Sequence, residues 1–397
     1  MSQARTICRT VLLAGVVSVV SASAQEPRID FERARVLQQR QRAGETLTAE
    51  ERVYLEKARA ARQEQPRGKS ANRPVPADRG AAPKPRESLG LRPVDEFGPS
   101  DTYKGYSGGL YGEGRNEPPL AHRAAAMEAA RSIRPLGPDG SPDPDGKIVL
   151  ISNGMSNTTR EFQVFVTMAR QEPEINPRLV VVDCAQGGQE AGDWARSADR
   201  FRRETRDPWE VQAERLRQAG VTPAQVQVVW MKQARRQPAS LGEFPKHAQV
   251  LQADQAEVLR HLKRAFPNLK LAYLSSRIYA GYAGTQQNPE PYAYESAWAN
   301  QWLIQQQISG DPALNFDASR GEVKAPVILW GPYLWADGVK GRRSDDLVYG
   351  RSDLVADGTH PSEGGTRKVS QQLLSFFKRD PTSRPWFVKD GSSGATR

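Results

Sequence analysis

Lys147-Ile-Val-Leu-Ile-Ser152 is a short apolar run that ends at Asn153-Gly154 and precedes a helical pattern over 158–170. Four more apolar runs of this kind follow along the chain, at 178–183, 226–231, 269–274 and 326–330. Amphipathic helices are predicted over 247–266 and, after the last run, over 361–377. Strands that alternate with helices of ten or more residues are typical of βαβ units, which build parallel sheets. We therefore predict an α/β fold for this region.

The predicted sheet has five buried parallel strands with helices on both faces, which is a three-layer α/β/α sandwich with flavodoxin-like connections. In such sheets the functional site lies beyond the carboxyl ends of the strands. Four features whose groups could take part in catalysis follow the predicted strands or lie in later loops: Ser156, Gly187-Gly188, Lys232 and the turn Asp357-Gly-Thr-His360. We expect these loops to meet at one edge of the sheet.

Ser156, Asp357 and His360 offer a nucleophile, an orienting carboxylate and a base in one chain. A serine hydroxyl attacks a carbonyl only if a neighbouring imidazole takes its proton, and that imidazole needs a third group to orient it. Of the 4 histidines in the chain, only His360 lies in such a turn, three residues after an aspartate. The alternatives are a helix N-cap role for Ser156 and an ordinary surface-turn role for His360.

Over 146–379 these segments resemble the SGNH/GDSL hydrolase superfamily. The family's closing motif, Asp-x-x-His-Pro, is matched by Asp357, His360 and Pro361, and a helical pattern follows as in the family. Its opening motif, Gly-Asp-Ser, is matched in part by Gly154-Met155-Ser156. The resemblance implies a serine esterase or deacylase that needs neither a metal nor a cofactor. It implies Ser156 as the nucleophile, His360 as the base and Asp357 as the orienting carboxylate.

The resemblance also implies an oxyanion hole that includes the backbone N–H groups of Ser156 and of Gly187 or Gly188. The family's third motif, Gly-x-Asn-Asp, falls at Trp230-Met-Lys-Gln233, where the asparagine is missing. Lys232 is the predicted substitute donor, because a cation stabilises a developing oxyanion more strongly than a neutral amide does. Gln233 is the milder alternative.

Asn157 and Arg277 are the candidate substrate-binding residues. Asn157 follows Ser156 directly, and Arg277 follows the fourth apolar run. The guanidinium of Arg277 has two alternative roles, binding of an anionic substrate group or pairing with a carboxylate of the protein. Cys184 follows the second apolar run, where a lone cysteine is more typical of a small buried hydrophobic residue than of a nucleophile.

The first 24 residues have the layout of a secretory signal peptide. Arg5 and Arg9 form the basic head, an apolar stretch follows over 11–20, and Ala22-Ser-Ala24 provides small residues at the cleavage site. That stretch is about ten residues, against the roughly 20 that a spanning helix needs. We predict cleavage after Ala24 and a secreted or periplasmic protein with no transmembrane segment. Cys184 would then be the single cysteine, which excludes an intramolecular disulfide.

The chain is predicted to comprise six segments: a signal peptide at 1–24, a helical hairpin at 25–65, a disordered Pro/Arg-rich linker at 66–99, a lead-in segment at 100–145 that packs on the domain, the SGNH-like domain at 146–380, and a tail at 381–397. Thr48-Ala-Glu-Glu51 is a capping-box signature for the second hairpin helix. The linker is assigned from its prolines, glycines and arginines without periodicity. One hypothesis makes the hairpin and linker an envelope tether.

The formal net charge of +10 favours contact with anionic surfaces. Export argues against nucleic acid and favours an anionic envelope surface or polysaccharide, the alternative being a solvated basic surface without a specific partner. The predicted function is hydrolysis of an O-acyl ester, with acetyl as the expected acyl group, of a carbohydrate or envelope polymer. The alternative function is a catalytically impaired module that binds polysaccharide.

Overall fold

The computed structural model of the protein describes residue 37 and residues 47–64, 84–196 and 207–389. The chain divides into two units, Met1–Arg79 and Gly80–Arg397. The predicted signal peptide and its cleavage site lie outside the described residues. So do the first hairpin helix apart from Leu37, the linker over 66–83 and the tail beyond 389.

The described part of the first unit contains a helix of 16 residues, α1 (Ala49–Glu64). Thr48 and Glu51 form the predicted capping box, because the Thr48 hydroxyl accepts the Glu51 N–H at 3.2 Å and the Glu51 carboxylate accepts the Thr48 N–H at 2.9 Å. Leu55 and Ala58 of α1 pack with Leu37 and Leu47 in a small apolar cluster. The predicted helix start is therefore confirmed.

The first two strands of the second unit form a short antiparallel pair, β1 (Thr102–Tyr103) and β2 (Tyr106–Ser107). Its main sheet has five strands, each overlapping one of the predicted apolar runs: β3 (Ile148–Gly154), β4 (Leu179–Val182), β5 (Val226–Lys232), β6 (Leu271–Leu274) and β7 (Val327–Trp330). The order across the sheet is β4-β3-β5-β6-β7, and every neighbouring pair is parallel. The prediction of an α/β fold with five parallel strands is confirmed.

The order of these five strands positions the site. Counted along the chain, they stand 2-1-3-4-5 across the sheet, which is the flavodoxin-like order. The connections from β3 and β4 therefore run to opposite sides of the sheet, which makes the boundary between β3 and β5 the topological switch point. A crevice opens there, beyond the carboxyl ends of these two strands. Gly154 at the end of β3 is paired with Lys232 at the end of β5, so the crevice begins at these two residues.

Eight α-helices of the second unit are described: α2 (Leu120–Ser132), α3 (Ser156–Gln171), α4 (Ala191–Trp194), α5 (Pro208–Gln218), α6 (Lys246–Ala265), α7 (Tyr292–Ile308), α8 (Glu363–Arg379) and α9 (Arg384–Phe387). Short 3₁₀ turns lie at Val94–Glu96, Pro223–Gln225, Pro238–Leu241, Pro312–Leu314, Ala318–Arg320 and Arg351–Asp353. Helix α3 packs on α8, and α6 packs on α7. Within the described residues, no helix combines the length and apolar character that crossing a bilayer requires.

The core explains why the apolar runs became strands. Every residue of β3 and β5 is buried, as expected for parallel strands covered on both faces, which are apolar over most of their length. Phe162 of α3 stacks on Trp230 of β5 with ring centroids 5.5 Å apart, and Phe165 packs on Phe377 of α8 at 5.6 Å. These contacts fix the start of α3 above the crevice.

Residues 84–99 correct the predicted extent of the linker. Val94 is fully buried and its N–H donates to the Tyr333 hydroxyl at 3.1 Å. The Asp337 carboxylate accepts the Leu89 N–H at 2.7 Å and the Gly90 N–H at 2.9 Å. The assignment of 84–99 to a disordered linker was therefore wrong, because its few apolar residues find partners far along the chain that composition does not reveal.

The predicted start of the tail at 381 is also corrected. Trp386 and Phe387 of α9 are buried, and Phe387 stacks on Phe377 at 5.2 Å. The lead-in segment contacts the sheet through His122 of α2, which bonds to the Ile328 carbonyl of β7 at 2.8 Å.

Candidate functional site

Ser156 is the first residue of α3, immediately beyond β3. Met155 is the N-cap residue, in extended conformation and without a side-chain capping bond. Gly154 allows the ends of β3 and β5 to approach closely, because a Cβ at that position would lie 2.4 Å from the Lys232 carbonyl oxygen. The hydroxyl of Ser156 instead lies 2.7 Å from Nε2 of His360, so the alternative N-cap role for Ser156 is wrong.

Asp357 and His360 occupy one tight turn. Nδ1 of His360 lies 2.6 Å from Oδ2 of Asp357, while Oδ1 of Asp357 accepts the backbone N–H groups of Thr359 at 2.8 Å and His360 at 2.9 Å. Gly358 has a φ of +65°, and a Cβ there would lie 1.7 Å from the Tyr282 carbonyl oxygen. Glycine is therefore required at the centre of the turn.

The hydrogen bonds of this turn set the tautomer of the imidazole. Partial burial opposes ionisation of Asp357, but the bonds from His360 and Thr359 outweigh it and hold the pKa of Asp357 below its usual value. An ionised Asp357 accepts a hydrogen bond from Nδ1–H of His360, which leaves Nε2 as an acceptor for the Ser156 hydroxyl. The three side chains form a continuous chain from carboxylate to hydroxyl.

Asn157 holds the two halves of this arrangement together. It is buried, and its amide Nδ2 donates to the Thr359 carbonyl at 2.9 Å, so it joins the start of α3 to the Asp357–His360 turn. Its Oδ1 is buried and has no hydrogen-bond partner among the described residues. The predicted substrate-binding role of Asn157 stays a prediction, and the structure adds a positioning role.

Ser156 and His360 open onto a cavity of about 260 Å³. This volume lies below the roughly 300–1,000 Å³ of most ligand sites, so it suits a small group. The other lining residues come from the loops after β3, β4, β5 and β6 and from the histidine turn: Met155, Asn157, Gly188, Gln189, Glu190, Arg236, Arg277, Gln287 and Thr359. Arg236 and Gln287 were not predicted, because neither belongs to a recognisable motif.

The two predicted glycines lie on the nucleophile side of the cavity. A Cβ added to Gly187 would lie 3.6 Å from the Cβ of Ser156, and Gly188 lines the cavity with a φ of +84°. Ser156 is at the amino end of α3, so its N–H has no acceptor within the helix, and the positive end of the helix dipole faces the same place. The start of α3 and the Gly187-Gly188 turn therefore lie side by side next to the Ser156 hydroxyl.

Lys232 does not face the cavity, and its predicted role as an oxyanion donor is wrong. Its ammonium donates to both oxygens of the Glu161 carboxylate, and both side chains are buried. Glu161 lies on the buried side of α3, where a charged residue is not expected from the helical pattern. Gln233 donates to Asn153 at 2.7 Å and is not a lining residue either.

The Glu161–Lys232 pair carries two charges in the core beside the site. Burial raises the pKa of Glu161 and lowers that of Lys232 to about 8, while their mutual attraction opposes both shifts. Breaking such a pair leaves one desolvated charge without compensation.

We expect Lys232→Met to lower the free energy of unfolding by about 3–5 kcal/mol, and Glu161→Leu with Lys232→Met to recover most of that loss. Urea denaturation followed by tryptophan fluorescence measures both. Arg367→Met, which breaks the exposed Arg367–Glu363 pair, is the control and should cost less than about 1 kcal/mol. A Lys232→Met loss no larger than that of the control would show that the buried pair does not support the fold.

Arg277 lies in the loop after β6 and lines the cavity, where it is 1% exposed. All three guanidinium nitrogens are buried without a hydrogen-bond partner, and Arg277 makes no ion pair with any residue that the structure describes. The alternative of a structural pair with a carboxylate is therefore wrong. Cys184 is fully buried, and burial raises the pKa of its thiol well above the usual value, which fits a packing role.

Comparisons with known proteins leave the family of this chain open. No family model matches the chain, and no curated protein matches it. Among solved structures, a putative acylhydrolase from Bacteroides fragilis NCTC 9343 is 13% identical, with 65% of this chain and 96% of that chain covered. The TM-score is 0.33, which is too low to support a shared family or activity.

Proposed function

We propose that this protein is a serine esterase of SGNH type, with that family's three-layer α/β/α arrangement, that removes a small acyl group from a carbohydrate or envelope polymer. The observation that carries the proposal is the unbroken chain Asp357–His360–Ser156, with contacts of 2.6 Å and 2.7 Å, which ends in a small open cavity. The small volume favours acetyl as the acyl group.

In the proposed reaction, His360 takes the Ser156 proton as Oγ attacks the acyl carbon, and Asp357 stabilises the imidazolium. The N–H groups of Ser156 and of Gly187 or Gly188 face the oxyanion. The tetrahedral intermediate then expels the alcohol, which receives the proton from His360. A water molecule, deprotonated by His360, attacks the acyl-enzyme in the same way and releases the acid with free Ser156.

The test is a series of p-nitrophenyl esters with two to eight acyl carbons, together with acetylated polysaccharide. We expect turnover of the acetyl ester, a steep loss with longer chains because of the cavity volume, and release of acetate from the polymer. The His360→Ala variant must lose the activity. Turnover that persists in this variant, or is absent for every ester, would contradict the proposal.

A second candidate function is polysaccharide binding without turnover. It is favoured by the loss of both side chains predicted to complete the oxyanion hole, because Lys232 is paired with Glu161 and Gln233 donates to Asn153. Loss of a single oxyanion donor typically costs on the order of 10²–10³ in rate. Binding of acetylated polymer by a purified protein that hydrolyses no ester would support this function, and His360-dependent turnover would exclude it.

Export and an anionic envelope partner are further parts of the proposal. They are supported by the layout of 1–24 and by the net charge of +10. The mature protein is expected to begin at Gln25, and amino-terminal sequencing of protein recovered from the periplasm or medium tests this. An intact Met1 in that material would contradict cleavage.

A further inference from the structure

Arg277 is a buried cation without a counter-ion in the described part of the chain. A charge that is removed from water without a partner is costly, and proteins pair such groups or bind an ion to them. Lys232, a second buried cation within electrostatic reach of Arg277, is already paired with Glu161. The environment of Arg277 therefore favours an anion from outside the chain.

The carboxylates that act electrostatically on Arg277 are those of Glu161, Glu290 and Asp357, and each has other partners. Asp357 is engaged by the histidine turn, and Glu161 by Lys232. Glu290 accepts the Ala280 N–H at 2.9 Å and the Trp335 indole N–H at 2.8 Å. Burial also raises the pKa of Glu290 to about 7, which weakens it as a counter-ion. These carboxylates attract Arg277 from a distance, but none of them accepts a hydrogen bond from its guanidinium.

The position of Arg277 identifies where the anion would be. Arg277 lines the same cavity as Ser156 and His360, so the anion belongs to whatever occupies that cavity. Strand β6 is separated from β3 by β5, a distance of roughly 10 Å at the usual strand spacing. In the proposed reaction the developing oxyanion faces the backbone N–H groups beside Ser156, so the guanidinium of Arg277 is available to a second group on the same molecule.

We propose that Arg277 binds a carboxylate of the substrate, so that the ester hydrolysed here is an O-acylated acidic sugar. A guanidinium matches a carboxylate with two parallel hydrogen bonds, and the buried nitrogens of Arg277 have no other acceptor among the described residues. A phosphate, with close to two charges at neutral pH, would be repelled more strongly than a carboxylate by the ionised Asp357, whose charge reaches Arg277. The cleavage step rests on the proposed function, whereas the binding of the carboxylate does not.

The kinetic test compares acetylated methyl glucuronoside with its methyl ester, which adds one methyl group and carries no charge. In Arg277→Met, the ratio of kcat/KM for the acid to kcat/KM for the ester should fall by about 30- to 1,000-fold, chiefly through KM of the acid. Arg367→Met, an exposed surface change, should leave the ratio unaltered. An unaltered ratio in Arg277→Met, or an equal loss of kcat on both substrates, would overturn the proposal.

Binding is measured separately from catalysis by calorimetry on the Ser156→Ala protein. Methyl glucuronoside should bind, and the added Arg277→Met change should abolish binding. Tighter binding of inorganic phosphate than of the uronoside would overturn the assignment to a carboxylate. Arg277-dependent binding of the uronoside without turnover of any ester by the wild type would refute the esterase and support the carboxylate site.

A thermal melt of the Arg277→Met variant shows whether the substitution disturbs the fold. Because Arg277 has no partner, Arg277→Met should keep or raise the melting temperature of the ligand-free protein. A large decrease would reveal a structural role for Arg277 and overturn the proposal.

Discussion

Replacement of Ser156 by alanine is expected to lower kcat for acetyl esters by on the order of 10⁶-fold, with KM changed by no more than a few fold. Among the described residues, the Ser156 hydroxyl is the one group hydrogen-bonded to Nε2 of His360. Its loss removes the nucleophile and the proton that His360 would accept. Steady-state kinetics with p-nitrophenyl acetate measure the effect. Ser375→Ala, on the exposed side of α8, is the matched control and should retain full activity.

The same prediction extends to the pair Ser156 and His360. Because the two residues act as one unit, His360→Ala should lose nearly as much activity as Ser156→Ala, and the double variant should be no worse than either. If the losses of the single variants instead added up in the double variant, the two residues would contribute independently, and the hydrogen bond between them would not be part of the reaction.

Asp357→Asn is expected to lower kcat by about 10⁴-fold. The asparagine oxygen can still accept the backbone N–H groups of Thr359 and His360, so the turn should keep its shape. Its amide NH₂ would face Nδ1 of His360 and impose the wrong tautomer, in which Nε2 carries a proton and cannot accept one from Ser156.

Kinetics and urea denaturation together separate this effect from misfolding. Asp357→Asn should be close to wild type in stability, whereas Asp357→Ala should also lose stability because it removes the acceptor of both backbone bonds. An Asp357→Asn protein that kept more than about a tenth of wild-type kcat would show that the carboxylate does not orient the base.

Much of the fold and of the central site follows from local sequence. The five strands are apolar runs bounded by turns, and the Asp357–His360 turn encodes its own geometry because both partners lie within four residues. The meeting of Ser156 with His360, across 204 positions, could be predicted because the carboxyl ends of parallel strands share one edge of the sheet.

The features that sequence reasoning missed depend on single long-range contacts. Lys232 occupies the expected position, but its side chain turns to Glu161, which lies 71 residues earlier and looks like an ordinary charged helix residue. The isolation of Arg277 depends on what every surrounding carboxylate binds, which no local pattern encodes. The packing of 84–99 rests on partners such as Asp337, which lies 248 residues from Leu89.

The central claim is that Ser156 is a nucleophile activated by His360. Mass spectrometry of the intact protein after incubation with a fluorophosphonate probe tests it most directly, with peptide mapping to locate the adduct. We expect one adduct per wild-type chain, on Ser156, no adduct on Ser156→Ala, and strongly slowed labelling of His360→Ala. Equal labelling of wild type and Ser156→Ala, or an adduct located on another residue, would contradict the claim.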